Sequence, residues 1–297
     1  MKDDASGATL DESPPPIEPP DDPPPGPPGG ASDSSSGGRH HRRGGAGNAV
    51  RFVLRGLGQT LITAGAVVLL FVVYEVYVTN YFAAQKQASV HHVLEQRWAN
   101  GNNVLALPKG KLASLDGQGI ANLYIPRLGL DYAWTIVQGQ GVPTEADLAK
   151  GPAHYAGTAL PGQLGNFAVA GHRVGKGEPF LNLDKLRAGD AVVVETKAHW
   201  YVYRVKGSVH PQDVTRANSD GIPGRMVVAP TDGAVTLPVP DRPGVQPTEA
   251  LMTMTTCTPK FTAEQRMIVF AALAKTLPHA GATKPAAILD LYKQVGH

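Results

Sequence analysis

Apolar and polar positions follow five successive patterns along the 297 residues. Residues 1–50 carry almost no apolar periodicity; their core reads "SPPPIEPPDDPPPGPPGGASDSSSGGRHHRRGGAG". Proline, glycine, serine and aspartate bury too little apolar surface to offset chain entropy, which predicts a disordered tail, either a spacer or a proline-rich docking site. Residues 51–82 are the opposite: the 19 residues from Gly56 to Tyr74 carry no charge and are apolar on every face. At 1.5 Å per residue, such a helix nearly crosses a hydrocarbon core of about 30 Å. Residues 83–119 return to a polar texture. "AAQKQASVHHVLEQRWANGNN" holds helix formers and is expected to extend the apolar helix as a stalk, with a linker over 104–119.

From Ile120 to Leu277 the period shortens. "IANLYIPRLG", "LDYAWTIVQG", "NFAVAGHR", "DAVVVET", "HWYVYRVKGSV", "ALMTMTTC" and "RMIVFAAL" are strand-length, rich in β-branched and aromatic residues, and separated by Gly, Pro and Asp turns. They predict seven or eight strands in an all-β sandwich or closed barrel. "EADLAKG" and "PFLNLDKL" each suit one or two helical turns. The longest connection, Val209–Thr248, is proline-rich and has no predicted element, a pattern typical of a functional or mobile loop. In residues 278–297, Ile288, Leu289 and Tyr292 mark one face of a short amphipathic helix, which either packs on the domain or folds over its site as a lid.

Charge sets the orientation. The formal net charge of +2 is too small to indicate nucleic acid. Arg39, Arg42, Arg43, Arg51 and Arg55 precede the apolar span, whereas only Lys86 and Arg97 follow it closely. Tyr74, Tyr77, Tyr81 and Phe82 sit where an interfacial aromatic belt would, with Glu75 at the far edge. The span is too long and starts too late for a cleaved signal peptide. It is expected to be an uncleaved single-pass membrane anchor, with the N-terminus cytoplasmic and residues ~80–297 outside.

That topology gives meaning to Cys257, the one cysteine of the chain. Outside the membrane thiols usually pair, and this one has no partner within the chain. It is therefore an intermolecular bridge or a free reactive thiol. His172 follows an apolar strand, Cys257 ends another, and Arg266 opens the next. A thiolate nucleophile, an imidazole that moves protons and a guanidinium that holds a developing oxyanion are together sufficient for acyl transfer. If Cys257 ends one strand and Arg266 begins its antiparallel neighbour, both reach the same end of the barrel. No acidic cluster suggests a metal, no zinc spacing exists with one cysteine, and "GQG" at 139–141 is too short for a phosphate loop. No cofactor is expected.

The stretches "LYIPRLGLD", "GPAHYAGTALPGQLGNFAVAGHR", "PFLNLDKLRAGD", "TEALMTMTTCTPKF" and "EQRMIVFAAL", in this order, resemble the sortase family, class E in particular, over Ile120 to Leu273. The resemblance implies an eight-stranded sortase-type β-barrel with short helices over 120–277, and a membrane-anchored cysteine transpeptidase. It implies Cys257, His172 and Arg266 as catalytic residues. Its substrates would be secreted proteins whose C-terminal Leu-Ala-x-Thr-Gly or Leu-Pro-x-Thr-Gly sorting motif is cut after Thr. The acceptor would be an amine of the peptidoglycan precursor lipid II. Tyr124, Tyr155, Thr255, Thr256 and the 209–248 loop are the expected substrate contacts. Two other readings stand beside this one: a sortase that polymerises pilins through a pilin lysine, and a non-catalytic tethered domain in which Cys257 is structural.

Overall fold

The computed structural model describes residues 45–74, 77, 79–106, 113–281 and 283–295. Most of the expected tail (1–44), Glu75 and the linker positions 107–112 lie outside them. Among the described residues there are four α-helices: α1 (Gly45–Val73), α2 (Thr79–Ala99), α3 (Glu145–Leu148) and α4 (Ala286–Gln294). Within α1, Val50–Val73 is long and apolar enough to cross a membrane, with mean hydropathy 2.0 and no residue buried.

Among the described residues nine strands follow: β1 (Gly119–Tyr124), β2 (Ala133–Gln138), β3 (Ala153–His154), β4 (Gly165–Ala170), β5 (Ala191–Glu195), β6 (His199–Val205), β7 (Arg225–Val228), β8 (Ala250–Thr258) and β9 (Gln265–Pro278). Eight of them close into a barrel in the order β6-β5-β1-β2-β3-β4-β8-β9, the ring shutting through β6–β9 pairing. β9 is long enough to serve both β7 and β6 on one edge. Residues 266–269 pair with β7 and residues 271–278 with β6. The β2–β3 and β4–β8 pairs are parallel and the rest antiparallel.

Side-chain alternation sorts residues between the barrel interior and its outer faces. Leu123, Ile136, Phe167, Val169, Val192, Val194, Met252, Met254, Met267 and Val269 fill the interior. Their neighbours one position away point outward, and two of those outer faces are covered. On one, Tyr124, Val193, Trp200 and Val202 pack under Ile288, Leu291 and Tyr292 of α4. On the other, Leu251, Ile268 and Phe270 pack under Ile222, Val228 and Val235. The connection expected to be structureless thus contains β7 and a buried apolar cluster. Its Pro-rich composition hid a four-residue strand whose ladder partner lies about forty residues further on.

α2 also departs from its expectation as a stalk. Leu94 and Trp98 are buried in the interior cluster with Val104 and Leu115. Polar residues complete the docking. Gln87 bonds the backbone of Thr135 and the Lys150 carbonyl, and His91 Nδ1 lies 3.2 Å from Asn122 Oδ1 and 3.1 Å from Thr135 Oγ1. Further along, Asn122 Nδ2 donates to Glu95 Oε1 at 3.3 Å.

Candidate active site

Three adjacent strands bring the chemistry together. β4 and β8 run parallel with Ala170 opposite Thr255, and Gly171 N continues the ladder by donating to the Thr255 carbonyl at 3.0 Å. His172 therefore stands level with Cys257. β8 and β9 run antiparallel with Cys257 directly opposite Arg266. Parity does the rest. Met252, Met254, Met267 and Val269 point inward, so positions 257 and 266 belong to the outer face of β8 and β9, and His172, two residues past the end of β4, joins them on the wall of one cleft. Neighbouring strands are about 4.8 Å apart, so the register alone gathers an imidazole, a thiol and a guanidinium on one patch of surface.

The covering segments leave that patch as a cleft of ≈ 590 Å³. His172, Cys257 and Arg266 line it with Tyr155, Thr255 and Thr256; Glu145 and Leu148 come from α3, and Pro230–Gly233 and Val235 from the β7–β8 connection. Cys257 is a free thiol at intermediate exposure. The Arg266 guanidinium is tied to the β8–β9 turn, since Nη1 donates to the Ala263 carbonyl at 3.0 Å and the Gln265 carbonyl at 3.1 Å.

Local sequence explains why the segments sit so closely. A Cβ on Gly171 would lie 2.6 Å from the Phe180 ring, so only glycine lets the chain turn into His172 beside that core phenylalanine. Thr256 Oγ1 donates to the Gly171 carbonyl at 2.8 Å, tying the cysteine strand to the histidine segment. Arg173 reinforces the tie. Its Nη1 reaches the Cys257 carbonyl at 3.4 Å and Thr258 Oγ1 at 2.7 Å, while Nη2 pairs with Asp184 at 3.0 Å. Tyr155 OH and Thr255 Oγ1 are 2.9 Å apart, so the two hydroxyls occupy each other at the cleft wall.

Burial pushes the His172 imidazole below its ordinary value; the carboxylate of Glu145 opposes this and the Lys176 ammonium adds to it. Glu145 Oε2 lies 3.7 Å from His172 Nε2 and also pairs with Lys176 Nζ. That pairing holds the Glu145 carboxyl below the usual carboxylate range. Burial raises Tyr155, with Thr255 and Arg266 working the other way.

Of the residues expected at the site, Tyr124 is elsewhere. Its strand neighbours Leu123 and Ile125 fill the interior, so Tyr124 faces outward beneath α4. There its hydroxyl donates to Glu195 Oε2 at 2.6 Å, and Lys284 Nζ lies 4.1 Å from its ring centroid. α4 itself contributes no described residue to the cleft, so the C-terminal extension is a cover for β1, β5 and β6 rather than a lid. Sequence reading missed Glu145, Lys176 and Arg173. The last two lie within four residues of His172, but charged residues in a glycine-rich turn carry no signal of their own.

Residues 123–274 match the sortase domain family. Sortase SrtE1 of Streptomyces coelicolor is 34% identical over 243 residues, covering 80% of this chain and 61% of that protein. The chain therefore spans less than two thirds of that relative's length. Sortase SrtE2 of the same organism is 32% identical over 226 residues, covering 74% of this chain and 81% of the relative. Among solved structures, the SrtF sortase from Corynebacterium diphtheriae aligns with a TM-score of 0.52 at 39% identity, over 60% of this chain and 93% of that one.

Proposed function

The chain belongs to the sortase family, and on that footing we propose that it is a class E-type cysteine transpeptidase. It cuts a C-terminal Leu-Ala-x-Thr-Gly or Leu-Pro-x-Thr-Gly motif of secreted proteins between Thr and Gly and passes the new carboxyl end to a peptidoglycan amine, that of lipid II. The observation that carries the reading is the register: Cys257 sits opposite Arg266 on adjacent strands and His172 is level with both, all three on the wall of one cleft.

In this reading the Cys257 thiolate attacks the threonyl carbonyl. The Arg266 guanidinium stabilises the oxyanion as it forms. His172 gives a proton to the departing glycine amine and later takes one from the acceptor. Thr255, Thr256 and Tyr155 shape the wall against which the motif lies. Thr255 and Tyr155 act through their apolar surface as much as their hydroxyls, which already pair with each other.

The apolar segment Val50–Val73 anchors the enzyme in the membrane lipid. The arginine excess before it keeps the N-terminus cytoplasmic and the barrel outside, where exported substrates and the wall precursor meet. The test uses the full chain in detergent micelles, a Leu-Ala-Asn-Thr-Gly peptide and a primary amine. We expect cleavage between Thr and Gly by the wild-type chain and none by Cys257→Ala. Equal turnover by both would remove Cys257 from the mechanism.

A further inference from the structure

We propose that the Glu145 carboxylate is the docking point for the acceptor's ammonium group, a place now filled by the chain's own Lys176. This rests on the transpeptidase reading above and adds a binding site to it. Glu145 opens α3, its side chain 67% exposed at the cleft wall. One oxygen, Oε2, carries two relations: it pairs with Lys176 Nζ, and it lies 3.7 Å from His172 Nε2. That Nε2 is buried and has no hydrogen-bond partner. A primary ammonium is therefore held on the very oxygen that faces the unpartnered nitrogen of the imidazole.

The arrangement suits an occupant that leaves. Lys176 is 48% exposed, and ion pairs at that exposure contribute little net stability. Yet the backbone is held to present it. Gly175, Lys176, Gly177 and Glu178 all have positive φ, at 73, 54, 86 and 54°. Gly177 N is fixed by Asn80 Oδ1 at 3.0 Å and Gly175 N by Glu178 Oε1 at 2.9 Å. Left-handed backbone at two non-glycine residues costs roughly 1 kcal/mol each or more, and such strain gathers at functional positions. The other charged or titratable groups on this cleft are Cys257, Arg266, Tyr155 and Asp232. Arg173, next to His172, is turned away to Asp184 and Thr258. Glu145 is thus the carboxylate nearest the imidazole nitrogen. Burial keeps that imidazole toward its neutral form, the form able to accept a proton.

The acceptor class is a primary amine, which arrives as an ammonium at neutral pH. It displaces Lys176 from Glu145 and gives one proton to neutral His172 Nε2. The freed lone pair attacks the thioester carbonyl; the C–N bond forms and the C–S bond breaks. The electron pair of the broken bond goes to sulfur. The second proton leaves the nitrogen for bulk water. An amide, a Cys257 thiolate and a His172 imidazolium remain, which is the pair that begins the next cycle.

The experiment titrates triglycine, and separately Nα-acetyl-lysine amide, against the full chain in detergent micelles with the sorting-motif peptide. It reads the ratio of aminolysis to hydrolysis and, by mass, the rate of thioester formation on Cys257. We expect Glu145→Gln to lower the ratio about tenfold at subsaturating amine, through the KM for amine. Lys176→Met should raise it, the internal competitor being gone. A ratio unchanged in Glu145→Gln overturns the proposal. So does thioester formation falling by the same factor as aminolysis, which would make Glu145 a positioning residue for His172. Failure of the wild-type chain to cleave the peptide at all would sink the transpeptidase reading, and this one with it.

Discussion

Leu94→Ala separates a docked helix from a free stalk. Leu94 is completely buried and belongs to the interior cluster with Trp98, Val104 and Leu115. Removing three carbons there loses their transfer energy and leaves a cavity, about 2–5 kcal/mol in total. With a urea slope of about 2 kcal/mol per molar, the unfolding midpoint should fall by roughly 1–2.5 M. The assay is urea unfolding of the full chain in micelles, followed by tryptophan emission. Trp98 lies one turn beyond Leu94, and Trp134 lines the groove between α2 and β2. Val93, one position away and 41% exposed, is the control: Val93→Ala should cost less than about 0.5 kcal/mol, a midpoint shift below about 0.25 M. If the two variants shift the midpoint equally, α2 does not pack on the barrel and the residues that begin the folded domain lie further on.

Tyr124→Phe should cost about 1–3 kcal/mol, because the buried Glu195 carboxylate loses a donor at 2.6 Å, while the kinetics of peptide cleavage stay at the wild-type level; a changed KM for the peptide would return Tyr124 to the substrate path. Burial pushes His154 down to about 4, against about 6.5 in the unfolded chain. Between those values the unfolded state binds more protons, so stability is complete above pH 6.5 and is lost as pH falls toward 4, by about 3 kcal/mol. Urea midpoints across that range check this, and His154→Gln should flatten the slope.

Legibility followed the range of the interactions. Strands announced themselves as short runs of β-branched and aromatic residues, because β1, β4, β5 and most of β8 are buried on both faces, and the thiol and guanidinium because nine residues is one antiparallel hairpin of β8 and β9. The helix at 286–294 was visible in Ile288 and Tyr292, but Leu289 is exposed and Leu291 takes its place on the buried face. Tyr124 faces outward as Cys257 and Arg266 do, but its strand β1 lies between β5 and β2, away from β4, β8 and β9, and the order of strands around a barrel is not written in any one of them. The face of α2 that docks carries Gln87, His91 and Glu95 beside Leu94 and Trp98, a mixed stripe that reads as solvated until Thr135 and Asn122 are seen to meet it. Glu145 was invisible for a similar reason: nothing in "PTEADL" indicates that a loop between β2 and β3 arrives beside residue 172.

β9 carries Arg266 near one end and shuts the ring against β6 with its other. Ribosomes make a chain from its N-terminus, and thiol, guanidinium and closing seam all lie within residues 257–278, after every other strand of the barrel. A chain released before residue 266 therefore lacks the guanidinium and the whole seam at once, so the barrel cannot close around a site that is still incomplete.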